Sequence, residues 1–225
     1  MGSVIGNILP QAIGVAISPV PIIAVILMLF SKRAKSNGLA FLIGWIVGLA
    51  VVGSIVLALA AAGKVSAGGD PSTVAYLIRL LLGVALLFLA SRQWKNRPKE
   101  GQEPAMPKWM AAIESFTAGK SFGLSALLSG VNPKNLGLTL AAALTIAQAD
   151  LPAAQPWIIL IIFIILGSLS VAAPVLYYLI AGKSAQKTLD VWKVWLMANN
   201  STVMFVLFLI LGVKLIGDSL GGLVG

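Results

Sequence analysis

The chain has 225 residues, 59% of them hydrophobic and 10% charged, with a mean hydropathy of +0.98; a soluble domain carries roughly 25% charge, so this is an integral membrane protein. Cysteine and histidine are absent, which excludes disulfides and thiolate nucleophiles and removes the commonest metal ligand and the near-neutral acid–base group. The net charge of +9 lies between apolar segments, so it reads as membrane topology rather than as a nucleic-acid interface.

Six stretches approach the roughly 20 apolar residues that a transmembrane helix needs: residues 4–30, 37–62, 71–91, 120–148, 156–181 and 199–223. Met1-Gly2-Ser3 offers no basic start, and Asn7, Pro10 and Gln11 interrupt the first apolar run, so a cleaved signal peptide is not expected. Ser18-Pro19-Val20-Pro21 breaks the first span. Gly14 with Ser18, and Gly44 with Gly48 in the second span, permit close helix approach, either inside the chain or across a homodimer seam. Asp70-Pro71 is read as the N-cap and first position of the third span, which carries Arg79.

Residues 92–119 form a cytoplasmic linker. Its proline- and charge-rich part, 97–107, is expected to be flexible, and Trp109, Ile113 and Phe116 predict a short helix in the membrane interface. Ser129 to Asn135, S-G-V-N-P-K-N, breaks the fourth span and sets a lysine inside it. Pro174 should kink the fifth span, and Gly182-Lys183 suits its end. Trp192, Trp195 and Met197 among Lys187 and Lys193 predict a second interfacial helix. Its aromatic residues would contact anionic membrane lipids or, alternatively, dock a cytoplasmic lipid-synthesis partner.

Twelve of the sixteen basic residues fall in the loops after spans one, three and five. The positive-inside rule therefore predicts six spans with both termini outside. Segments 4–91 and 120–223 share a plan, a broken helix followed by two plain spans. With three spans each, they would run inverted relative to one another within a single membrane domain, 1–225. Paired broken helices in inverted repeats point to a central ligand site.

Every one of the seven acidic residues lies in a loop or near a span end. Hard metal cations want carboxylate oxygens, so no metal or cofactor is expected and the site should favour an anion. Lys134 is the leading candidate, either as a site residue or as a donor to backbone carbonyls freed at the break. Asn132 and Asn135 could cap half-helices or bind ligand, and Ser18, Pro19, Pro21 and Pro133 line the breaks. Arg79 and Lys214 lie nearer the outer surface and read first as interfacial anchors; Arg79 is kept among the candidate substrate-binding residues.

P-V-P at 19–21 followed by basic residues and Gly38, and F-x-x-G at 116–119 leading to N-P-K at 132–134, resemble the lysine-exporter (LysE-type) superfamily, whose two repeats carry P-G-P and N-P-K. Within it, I-S-P-V-P-I-I-A-V-I-L-M-L-F and N-P-K-N-L-G-L-T look most like the actinobacterial peptidoglycolipid-addressing (GAP) group, which includes sulfolipid-addressing proteins. The resemblance implies export across the bacterial inner membrane: of small amino acids in amino-acid-exporting members, and of cell-envelope glycolipids in this group. Valine in place of the middle glycine loses backbone freedom at the break and puts a close fit around a small zwitterion in doubt.

The expected function is therefore a flippase-like exporter of an amphipathic, anionic or glycosylated lipid by alternating access. An amino-acid or other small-metabolite exporter, and a non-transporting scaffold for lipid synthesis or export machinery, are the alternatives. An enzyme is not expected, because acid–base and nucleophilic groups are missing from the spans.

Overall fold

The computed structural model describes residues 1–62, 73–98, 112–149, 151–152 and 154–224. Their regular structure is helical: α1 (Gly2–Ala16), α2 (Pro19–Leu29), α3 (Ala34–Ala61), α4 (Thr73–Lys95), α5 (Ala118–Gly130), α6 (Pro133–Gln148), α7 (Gln155–Ala181) and α8 (Ala185–Val224), with 3-10 turns at Ala112–Ser115 and Gly182–Ser184. Two runs, Ala34–Ala61 and Gln155–Leu223, are long and apolar enough to cross a membrane, and α1 with α2 makes a third if the bent pair is one span.

The breaks fall where proline chemistry puts them. Pro19 and Pro21 have no N–H, so two helical hydrogen bonds within three residues are lost, and the axis turns by 51° between α1 and α2. Proline alone does not end a helix, since α1 and α7 continue through Pro10 and Pro174. Before Pro19 and Pro133 the backbone leaves the helical region, at Ser18 (ψ 85°) and Asn132 (ψ 123°), the conformation that a following proline favours. Each proline then sits at the start of the next helix, where its missing N–H costs nothing. At the end of α7, Gly182 takes φ 58° and its N–H donates to Tyr178 O, a conformation that favours glycine.

The chain divides into two compact units. One comprises Met1–Gly68 and Met106–Val194, and so holds α1–α3, α5–α7 and the first part of α8. Its tightest seam joins α3 to α5. A side chain at Gly48 would collide with Ser129 Oγ and lie 2.8 Å from Ala126 O, and one at Gly44 would collide with Ser125 Oγ and Phe122 O. The Gly44–Gly48 face is thus filled from within the chain. Ser121, Ser125 and Ser129 recur every four residues along α5, all fully buried, and each hydroxyl donates to a carbonyl one turn back. Small size with no orphaned polar atom is what close packing between apolar helices requires.

On α3, Phe41, Trp45 and Leu49 are fully buried, and Trp45 Nε1 donates to Gly167 O on α7 at 3.2 Å. From Ile23 to Ile26, and again at Met28 and Leu29, α2 is buried, as expected of a helix apolar all round. The outward faces are apolar as well: Ile43, Val51 and Ile55 on α3, and Ile161, Ile165, Leu169 and Ile180 on α7, are all more than half exposed. Leaving such side chains in water forgoes about 1.5–3 kcal/mol each, so these faces belong against lipid.

The other unit, Gly69–Ala105 with Trp195–Gly225, pairs α4 with the rest of α8. Its seam is reciprocal: a Cβ at Gly83 would lie 3.0 Å from Gly212 O, and one at Gly212 would lie 3.0 Å from Gly83 O. Trp94 packs on Phe205 with ring centres 4.8 Å apart, and the Arg97 guanidinium sits 3.6 Å from the Trp94 ring centre. Lys214 pairs with Asp218 on the exposed side of α8.

Two local expectations need correction. Ile113, expected on a helix lying in the membrane interface, is fully buried, and the described residues around it, Ala112–Ser115, form a 3-10 turn. Helical spacing of apolar residues cannot say whether the face turns to lipid or to the protein core. Trp192 and Trp195 do not mark a separate short helix, because α8 runs unbroken from Ala185 to Val224; no proline or glycine between Ala185 and Ile210 interrupts it. Trp109, the 99–111 part of the linker, and the Asp70-Pro71 cap lie outside the described residues.

Candidate functional site

The last four carbonyls of a helix have no intrahelical donor, and at the end of α1 each finds one from a side chain. Ser18 Oγ donates to Val15 O at 2.7 Å. Ser170 Oγ, from α7, donates to Ala16 O at 2.6 Å, and the Ser18 N–H donates to the same oxygen at 2.8 Å. Lys134 Nζ, from α6, donates to Gly14 O and Ile17 O, both at 2.8 Å, and to Ser18 Oγ at 2.6 Å. Val15 and Ile17 are the residues whose helical donors would have been the nitrogens of Pro19 and Pro21. The break in α1–α2 creates orphan acceptors, and the break in α5–α6 supplies the cation that meets them.

The second break has its own satisfaction. Asn132 Oδ1 accepts from the Lys134 N–H at 3.0 Å, an N-cap that starts α6. Asn135 Nδ2 donates to Leu128 O at 2.9 Å, closing the end of α5. Asn135 Oδ1 lies 3.3 Å from Ser18 Oγ. Asn135 is fully buried and Ser18 nearly so. The C-terminus of α1 carries partial negative charge and the ammonium lies against it, while the start of α6 carries partial positive charge at the same place.

Of the residues proposed from sequence, Ser18, Lys134 and Asn135 are in direct contact. Asn132 and Pro133 set the start of α6, while Pro19 and Pro21, both buried, set the start of α2. Arg79 lies on α4 in the other unit, and its side chain is outside the described residues. Sequence reasoning missed Ser170, and it missed that the acceptors for Lys134 are the carbonyls of Gly14 and Ile17. The signal for Ser170 was a polar residue in an otherwise apolar span, as was Ser168, whose hydroxyl is buried without a partner. Chemically, the cluster presents one cation, several neutral oxygens and an amide. It can hold an oxygen-rich or anionic group if the ammonium exchanges one of its present partners.

No curated protein and no solved structure matches the chain. A family model described as Sap, sulfolipid-1-addressing protein, matches residues 8–221, nearly the whole length and both helix breaks. On that match the chain belongs to the sulfolipid-1-addressing protein family.

Proposed function

We propose that this protein is an exporter of the bacterial inner membrane that helps move an amphipathic, anionic or glycosylated lipid outward. In this reading six spans cross the membrane with both termini outside, arranged as two inverted three-span repeats. The breaks of α1–α2 and α5–α6 meet at mid-depth and alternate in access. The observation that carries it is the meeting of the two breaks through Lys134, Ser18 and Asn135. Discontinuous helices whose ends face one another are how transporters build a substrate site inside a bilayer. Family membership supports a lipid rather than an amino acid as cargo. The reciprocal approach of Gly83 and Gly212 supports the repeat, since a two-fold relation between α4 and α8 makes each contact occur twice.

In the cycle, the head group would take one of the ammonium's hydrogen bonds while the acyl chains stay against the apolar outer faces. The charge then need not be buried alone. One observation favours a second reading: all three hydrogens of the Lys134 ammonium already have protein acceptors. The break would then be a static joint and the protein a membrane scaffold for lipid synthesis or export machinery. Purified protein in vesicles carrying a labelled anionic glycolipid decides between them. Export predicts that label in the inner leaflet becomes accessible to an impermeant quencher faster than in protein-free vesicles. Equal rates would remove the export reading.

A further inference from the structure

We propose that the carbonyl end of α1 is a built site for a monovalent cation, and that the Lys134 ammonium is its tethered occupant. Three neutral oxygens surround Nζ, Gly14 O and Ile17 O at 2.8 Å and Ser18 Oγ at 2.6 Å. They lie at the negative end of a helix dipole. No Asp or Glu occurs in α1, α2, α6 or α7. A divalent ion would want carboxylates among its ligands, whereas neutral carbonyls and a hydroxyl suit a single charge, either an alkali ion or a primary ammonium.

In transporters with broken helices, unwound carbonyls and half-helix C-termini hold the coupling cation. Here the cation at that position belongs to the chain. Lys134 is anchored on α6 by the Asn132 cap and the Pro133 start, so the charge cannot diffuse away as a sodium ion would. With its cation supplied by the chain, the site needs no free alkali ion. This deepens the export reading, on which it rests for its functional meaning, by excluding Na+ and K+ as the coupling ion at the breaks.

The test removes the tether and supplies the cation. Purified Lys134→Ala in detergent is melted in ethylammonium chloride and in choline chloride at equal ionic strength; ethylammonium carries three N–H donors and choline carries none. The expected result is a lower melting temperature for the variant. Ethylammonium should restore it saturably by a few degrees and leave the parent unshifted. Equal effects of the two salts on the variant, or an equal rise in the parent, would overturn the proposal.

A second arm needs no variant: replacing all Na+ and K+ by choline should leave the parent's melting temperature and its rate of lipid movement unchanged. A requirement for either alkali ion would overturn the proposal. Melting is read without any lipid cargo. Failure of the rescue therefore removes the cation site and leaves the export reading standing, whereas rescue with no lipid movement under any condition supports the site and removes the export reading.

Discussion

Ser18 is the residue with most to lose at the break, because its hydroxyl donates to Val15 O and accepts from Lys134 Nζ in a nearly solvent-free position. Ser18→Ala leaves an acceptor without a donor and an ammonium short of one oxygen, which costs about 1–3 kcal/mol. Ser170→Ala should cost less, about 1 kcal/mol, since Ala16 O keeps the Ser18 N–H. Thermal unfolding in detergent checks the order, and a larger loss from Ser170→Ala would contradict it. At this scale the prolines were legible because a missing N–H is a property of the residue alone. Ser170 was not, because its partner is 154 positions away in sequence and only packing brings them together. The lysine was legible as an anomaly in an apolar run; its acceptors were not, since backbone carbonyls leave no mark in a sequence.

Among elements, the α3–α5 seam sets the tolerance of the fold. Gly48→Ala must push against Ser129 Oγ and the Ala126 backbone, and backbone gives way poorly, so a loss of about 1–3 kcal/mol is expected. Gly137→Ala on α6 meets nothing within 4 Å and should be neutral or stabilise by up to about 1 kcal/mol through helix propensity. Melting temperatures of the pair provide the check, and equal shifts would mean that the seam does not limit packing. The Gly44–Gly48 spacing announced a close approach, yet not the partner. That partner is the serine stripe of α5, whose four-residue period was available in the sequence but unassigned. Helix ends were read well where glycine or proline marks them, as at Gly182 and Pro133. They were misread around Ile113 and Trp192, where the spacing of aromatic and apolar residues among charges was the guide.

For the whole molecule, two of the apolar stretches read from the sequence coincide closely with single helices, 37–62 with Ala34–Ala61 and 156–181 with Gln155–Ala181, whereas 199–223 lies inside a helix that begins at Ala185. Which side each end faces rests on the placement of lysine and arginine. The native chain has no cysteine, so single cysteines report cleanly. Introduced at the exposed positions Lys35 and Ser184, they should be shielded from an impermeant thiol reagent in intact cells, while those at Ala62 and Ala154, also exposed, should react. Labelling in the opposite pattern would overturn the orientation.

The central claim is that the charge of Lys134, where the two breaks meet, receives the head group of the lipid. Rates of labelled glycolipid movement in vesicles, compared among the parent, Lys134→Arg and Lys134→Gln at matched folded protein, test it most directly. Arginine keeps the charge in a planar fork, whereas glutamine keeps a neutral donor and removes the charge. The account predicts partial movement with arginine and little with glutamine; movement at the parent's rate with glutamine would contradict it and leave the break as a hinge.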